Sequence, residues 1–174
     1  MRPDTWRYTR PMQVLIIRHG RAEDRAPDGR DASRRLTDDG RARMREVARG
    51  LKTQIEGLDI IATSPLPRAR ETAGIVAEVF GSAEPGNLDV LAPGVDAKAV
   101  LRWLGEQRAT ATIALVGHEP DLSRLAALLT SGNSSTAVQM KKGAVCSIEF
   151  DGRPAAGAGT LVFLMQPAQL RRLS

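Results

Sequence analysis

Two hydrophobic periods run through this chain. Residues 12–17, 58–62 and 112–116 are short, largely apolar stretches rich in β-branched side chains. That pattern predicts strands buried on both faces of an α/β sheet. Between them, apolar residues recur every three or four positions. Met44, Val47, Ala48, Leu51 and Ile55 form one such stripe, and Ala69, Ala73, Val76 and Phe80 form the next. Val100, Leu101 and Leu104 form a third, and Leu122, Leu125, Ala126 and Leu129 a fourth. These are the inward faces of helices. Thr37 followed by Asp38 and Asp39 reads as an N-cap with acids in the first turn. Gly81 stops the second helix, residues 95–106 read as the third, and Pro120 fits the first turn of the fourth. Residues 88–91 read as a short strand. Residues 144–150 and 160–165 predict two more strands, joined by a Gly/Ala/Pro-rich loop and so antiparallel, at one side of the sheet. The order β-α-β-α-β-α-β-α-β-β predicts an α/β fold, a three-layer sandwich with a mostly parallel central sheet and helices on both faces.

At 174 residues the chain is long enough for one domain with a substantial core. Residues 12–174 are expected to form it, preceded by an N-terminal extension over residues 1–11 that shows no clear period. Residues 21–35 make a charged loop too long for a simple connection, which points to a functional or a mobile segment. The single cysteine, Cys146, excludes an internal disulfide and reads as a small core residue. No apolar run approaches membrane-spanning length and no signal-peptide pattern is present, so a cytoplasmic protein without membrane contact is expected. Aromatic residues make up only 3%, and no nucleic-acid-binding motif occurs, which argues against a nucleic-acid partner.

The basic residues are unevenly chosen: 21 arginines against 4 lysines. Arginine grips phosphate with a planar fork, so a phosphorylated partner is one reading and compositional bias the other. The chemistry concentrates at the ends of the apolar runs. The chain has two histidines, and both stand there: Arg18-His19-Gly20 after the first run and Gly117-His118-Glu119-Pro120 after the third. Ligands of such sheets bind at the carboxyl ends of the strands. Arg68 follows the second strand in Ser64-Pro65-Leu66-Pro67-Arg68 and should lie in the first turn of its helix, where peptide N–H groups also favour an anion. Two arginines, two imidazoles and two helix starts can surround a phosphoryl group without a metal. In that site a neutral imidazole attacks phosphorus, and arginines neutralise the equatorial oxygens. His19 is the best placed nucleophile, with Arg18, Arg68 and His118 around it. Arg21 and Ser64 are candidates to touch the phosphate, each with a structural role as the alternative. Glu119 is a candidate proton donor. Arg41, Arg43, Arg45 and Arg49 read as the wet face of the first helix, or as a surface for an acidic partner. No metal or other cofactor is expected. Neither a Walker loop nor a dinucleotide-binding glycine motif is present.

These motifs resemble the histidine phosphatase superfamily, whose fold is phosphoglycerate-mutase-like. Leu15-Ile16-Ile17-Arg18-His19-Gly20 is similar to its signature, residues 63–73 to its second motif, Val116-Gly117-His118-Glu119-Pro120 to its third, and Leu36-Thr37-Asp38-Asp39-Gly40 to the start of its first helix. Within the superfamily, the short length and Lys141-Lys142-Gly143-Ala144 before a strand look most like phosphohistidine phosphatases of the SixA type. The resemblance implies His19 as the phosphoryl acceptor, and Arg18, Arg68 and His118 as the phosphate pocket. It implies a phosphohistidine-bearing protein as substrate, with a small phosphorylated molecule as the alternative, and inorganic phosphate as product. A non-catalytic phosphate sensor is the rival outside enzymes. One departure matters. Mutase and phosphomonoesterase branches place an acid after the middle strand, where this chain has Leu91-Ala92-Pro93-Gly94-Val95-Asp96. SixA-type proteins share that lack, and a phosphoramidate needs less help because its nitrogen can already carry a proton.

Overall fold

A computed structural model describes residues 10–82, 84–135 and 138–174. The N-terminal extension expected over residues 1–11 lies, up to residue 9, outside the described residues. The strands β1 (Met12–Arg18), β2 (Ile60–Thr63), β3 (Gly86–Asn87), β4 (Thr112–Gly117), β5 (Val145–Phe150) and β6 (Thr160–Met165) form one sheet in the order β3-β2-β4-β1-β5-β6. β3, β2, β4 and β1 run parallel. β5 and β6 add antiparallel strands at one side, as their loop implied.

β1 and β4 are apolar on both faces because each face is covered. Val14, Ile16, Ile113 and Leu115 point to one side, where they pack with Val100 and Leu104 of α3 (Ala97–Leu104) and Leu122, Leu125 and Leu129 of α4 (Asp121–Ser131). Leu15, Ile17, Ala114 and Val116 point to the other. There they meet Met44, Val47 and Leu51 of α1 (Asp38–Lys52), Ala69, Ala73 and Val76 of α2 (Pro67–Phe80), and Leu170 of α5 (Pro167–Arg171). A one-residue slip of either strand would exchange the two layers, so the register is strongly specified. Thr37 caps α1 by accepting from the Gly40 N–H, and Gly81 ends α2 in the left-handed region at φ 66°. Cys146 is buried in the core, which pushes its thiol up to about 12.

Four details differ from the sequence pattern. Residues 88–91 do not form a strand: the pairing is confined to Gly86 and Asn87, and Asp89–Leu91 is a 3₁₀ turn that tucks Leu91 into the core. Ile55 is buried but lies past the end of α1. Pro120 is the N-cap of α4 rather than a residue of its first turn, and the Glu119–Pro120 peptide is cis. α5 carries only five residues and has too short a period to stand out in the sequence.

Candidate active site

The parallel strands deliver their carboxyl ends to one edge, and the backbone ladder continues one residue beyond them. Arg18 pairs with Gly117 in the register of β1 and β4. The next N–H, that of His19, donates to the Gly117 carbonyl at 3.1 Å, and the Ser64 N–H donates to Val116 at 2.9 Å. His19, Ser64 and His118 are therefore set side by side. The two imidazoles lie 5.1 Å apart between ring centroids, tilted by 54°. Both are buried, as is Arg68, while Arg18 is half-buried.

The hydrogen bonds fix what each ring can do. His19 Nδ1 is 2.7 Å from the Gly20 carbonyl. A carbonyl only accepts, so Nδ1 carries the proton and Nε2 of the neutral ring keeps its lone pair. Burial pushes His19 down to about 3, against the pull of the Gly20 carbonyl; His118, Arg68 and Arg18 push the same way as burial. His118 is pushed down to about 4, first by burial, then by Arg68. Both rings are neutral at physiological pH.

The arginines are held by their outer nitrogens. Arg18 Nη1 donates to the Met140 carbonyl at 2.7 Å. Arg68 Nη1 donates to the Asp31 carbonyl at 2.8 Å, and its Nη2 to Asp31 Oδ2 at 3.1 Å. Among the described residues, five buried side-chain polar atoms lack a protein partner: Arg18 Nε, Arg68 Nε, His118 Nδ1, Glu119 Oε1 and Thr112 Oγ1. Four of the five belong to this cluster. Native proteins satisfy buried polar atoms almost everywhere else, so such a concentration marks a place built for a polar ligand. Two of the four are guanidinium Nε–H donors, which suit an anion, while Glu119 Oε1 is an acceptor that calls for a donor.

The other candidates divide. Ser64 is fully buried, and its Oγ lies 2.8 Å from His118 Nε2 while also accepting from the Leu66 N–H. It orients the second imidazole and holds the Leu66 N–H just ahead of α2, whose N-cap is Leu66. Glu119 Oε2 accepts from Ser123 Oγ, and the Glu119 charge acts on Arg18. Arg21 is exposed and pairs with Asp39 at 3.5 Å, so it stands at the rim rather than against the rings. Asp96 caps α3 by accepting from the Lys98 N–H. The segment before it presents Val90, Leu91 and Ala92 toward His118, not a carboxylate.

Three contributors were not foreseen. Thr72, fully buried, accepts from the Gly20 N–H at 3.0 Å and donates to the Arg68 carbonyl at 2.7 Å, tying the first motif to the second. It lies one helical turn beyond Arg68, a spacing that would have flagged it. Asp31 lies in the charged loop over residues 21–35, whose length marks it but whose individual residues do not stand out, and Met140 comes from a segment with no pattern of its own. Gly20 has its own reason: a Cβ there would lie 2.5 Å from Met44 Cγ, so the turn passes over α1 only without a side chain.

The sheet thus presents two imidazoles and two arginines together at its carboxyl edge, an arrangement chemically suited to an oxyanion. The chain belongs to the histidine phosphatase superfamily. The family's model (histidine phosphatase superfamily, branch 1) matches residues 14–91. The structure is similar to that of the protein histidine phosphatase SixA complexed with tungstate: TM-score 0.81, 30% identity, over 91% of this chain and 99% of that one. An uncharacterized protein of Picosynechococcus sp. is 36% identical over 79% of this chain and 84% of its own length. Phosphoglycerate mutase of Bacillus anthracis shares the fold, with a TM-score of 0.68 at 16% identity over 95% of this chain and 97% of that one. Family and fold together support a phosphatase. Among the described residues no helix is long and apolar enough to cross a membrane.

Proposed function

We propose that this chain removes the phosphoryl group from phosphohistidine on a partner protein, through a phosphoenzyme formed on His19. The observation that carries the reading is the tautomer of His19: Nδ1–H is held by the Gly20 carbonyl, and a burial-neutralised Nε2 is left to attack. The P–N bond to the substrate imidazole breaks as the P–Nε2 bond forms. The leaving imidazole takes a proton from solvent or from Glu119. Positive charge grows on the His19 ring and is met by the Gly20 carbonyl. Arg18 and Arg68, whose Nε–H groups are unpaired, hold the equatorial oxygens as charge shifts. Water then attacks phosphorus, inorganic phosphate leaves, and His19 returns to its neutral form. His118, oriented by Ser64, stands beside the transferring group.

The charge at the pocket comes from two guanidinium groups, which repel a metal cation and replace its role in neutralising phosphate. SixA, to which the chain is similar, binds tungstate, a phosphate-like oxyanion. The stretch Leu91-Ala92-Pro93 offers no acid to an alkoxide leaving group, whereas an imidazole leaves with little help. A positioned general acid contributes about 10²–10⁴-fold to cleavage of a poor leaving group. The test is kcat/KM on one preparation for a phosphohistidine-bearing protein, nitrophenyl phosphate and a sugar phosphate. The first should exceed the last by about 10² or more. Equal turnover of both would favour the small-molecule reading, and no turnover of any would favour a sensor.

A further inference from the structure

A second cavity, of about 420 Å³, opens beside the imidazole pair and shares Arg18 with it. Its floor is apolar, with Met44, Val47 and Pro167, and its rim is cationic, with Arg21, Arg43, Lys141, Lys142 and Arg171. The rim is under-neutralised. Asp39 serves both Arg21 and Arg43, and Glu46 serves Arg171. Among the described residues no carboxylate forms an ion pair with Lys141 or Lys142. Lys142 is held below the usual ammonium range, first by burial, then by Arg34 and Arg18, with only Asp24 opposing. Like charges crowded at one rim cost free energy until an anion joins them.

We propose that this groove receives an acidic stretch of the phosphoprotein flanking its phosphohistidine, so that substrate choice is made by charge beside the catalytic pocket. The inference rests on the phosphohistidine reading above. Continuity through Arg18 is the main argument: a phosphoryl group held by Arg18 and Arg68 brings the neighbouring residues of its carrier to the groove mouth. The cavity between His118 and α3 encloses only about 10 Å³ and is lined mainly by apolar side chains, and the larger cavity of about 820 Å³ along α2 shares none of Arg18, His19, Arg68 and His118 and carries Glu71, Glu78 and Glu84 in its wall. Acidic side chains fit the rim, and their methylene groups fit the floor. The Lys141-Lys142 pair before β5 thereby acquires a role that the phosphate pocket does not give it.

The experiment uses three phosphohistidine peptides, prepared by chemical phosphorylation, with acidic, neutral and basic flanks, alongside nitrophenyl phosphate. At low salt the acidic peptide should exceed the neutral one in kcat/KM by about tenfold, mostly through KM. The advantage should shrink as ionic strength rises, because the screening length falls from about 10 Å at 0.1 M to about 3 Å at 1 M. Lys141→Glu and the double change Lys141→Glu/Lys142→Glu should abolish the preference while nitrophenyl phosphate turnover by Lys141→Glu stays at the wild-type level. Equal turnover of the three peptides overturns the groove assignment alone, as does a preference that survives both variants. If a small bisphosphate outcompetes every peptide and loses that advantage in Lys141→Glu, the groove is a second-anion subsite and the peptide occupant is wrong. If no phosphohistidine peptide is cleaved while nitrophenyl phosphate is, the phosphohistidine reading fails and the occupant falls with it.

Discussion

Acidification from pH 7 to pH 5 should destabilise this protein by about 4 kcal/mol, and its two histidines should account for nearly all of it. His19 is held at about 3 and His118 at about 4, chiefly by burial. Both return to about 6.5 when the chain unfolds. Above 6.5 neither state binds a proton at these rings, and the stability is fully present. As the pH falls below 6.5, the unfolded chain takes up protons that the native site refuses, and stability is lost down through the folded values. Each ring costs about 1.4 kcal/mol per pH unit in that window, or about 2 kcal/mol at pH 5. Asp28 is held low by the Ser33 hydroxyl and the Arg30 N–H, and Asp31, Asp39 and Asp59 by hydrogen bonds and arginines. Their stabilisation is lost only as the pH falls below the ordinary carboxylate value near about 4. The span from pH 7 to 5 therefore belongs to the imidazoles. A loss of this size is a large share of the roughly 5–15 kcal/mol typical of a domain. The assay is urea unfolding at both pH values, at fixed ionic strength and without phosphate or sulfate. His19→Gln and His118→Gln should each remove about half of the drop. Equal stability of the wild type at pH 7 and 5, or a full drop in both variants, would refute the claim that burial keeps these rings neutral.

Three further outcomes follow from the site. Thr72→Val leaves the buried Gly20 N–H without a partner and should lower stability by about 1–3 kcal/mol; kcat should fall about ten- to hundredfold through misplacement of His19, with Thr72→Ser restoring most of both. Turnover should be unchanged in excess chelator, and complete loss restored by Mg²⁺ or Zn²⁺ would contradict a pocket that works by arginine charge. Glu119→Gln should leave nitrophenyl phosphate turnover nearly untouched and change the slow hydrolysis of an alkyl phosphate by less than about tenfold; a selective loss of the alkyl phosphate activity would make Glu119 the acid that residues 91–93 do not supply.

Much of this architecture is legible in the sequence because each strand and helix announces itself by burial. Val14 to Ile17 are apolar without interruption since both faces of β1 are covered, and the carboxyl-edge rule then brings His19 and His118 together. Residues 88–91 mislead for the same reason. Leu91 is buried and Leu88 and Val90 are partly so, but through a 3₁₀ turn that folds inward, while the edge pairing falls on Gly86 and Asn87, which have nothing to bury. The partners of the arginines are illegible for a different cause. Asp31 lies 37 residues from Arg68 and Met140 lies 122 from Arg18, and a backbone carbonyl carries no sequence signal. Arg21, adjacent to the signature, reads equally as a phosphate contact or a surface residue, and the sequence does not choose between them; in the structure it is exposed and pairs with Asp39.

The central claim is that His19 Nε2 accepts the phosphoryl group. The direct measurement is rapid quenching of the enzyme with a ³²P-labelled substrate, followed by mapping of the labelled residue. Label is expected on His19, labile to acid and stable to base as a phosphoramidate is, formed and discharged at rates consistent with kcat. A folded His19→Ala variant should carry no label and should also lack turnover. Label on another residue, or wild-type-like turnover by His19→Ala, would contradict it.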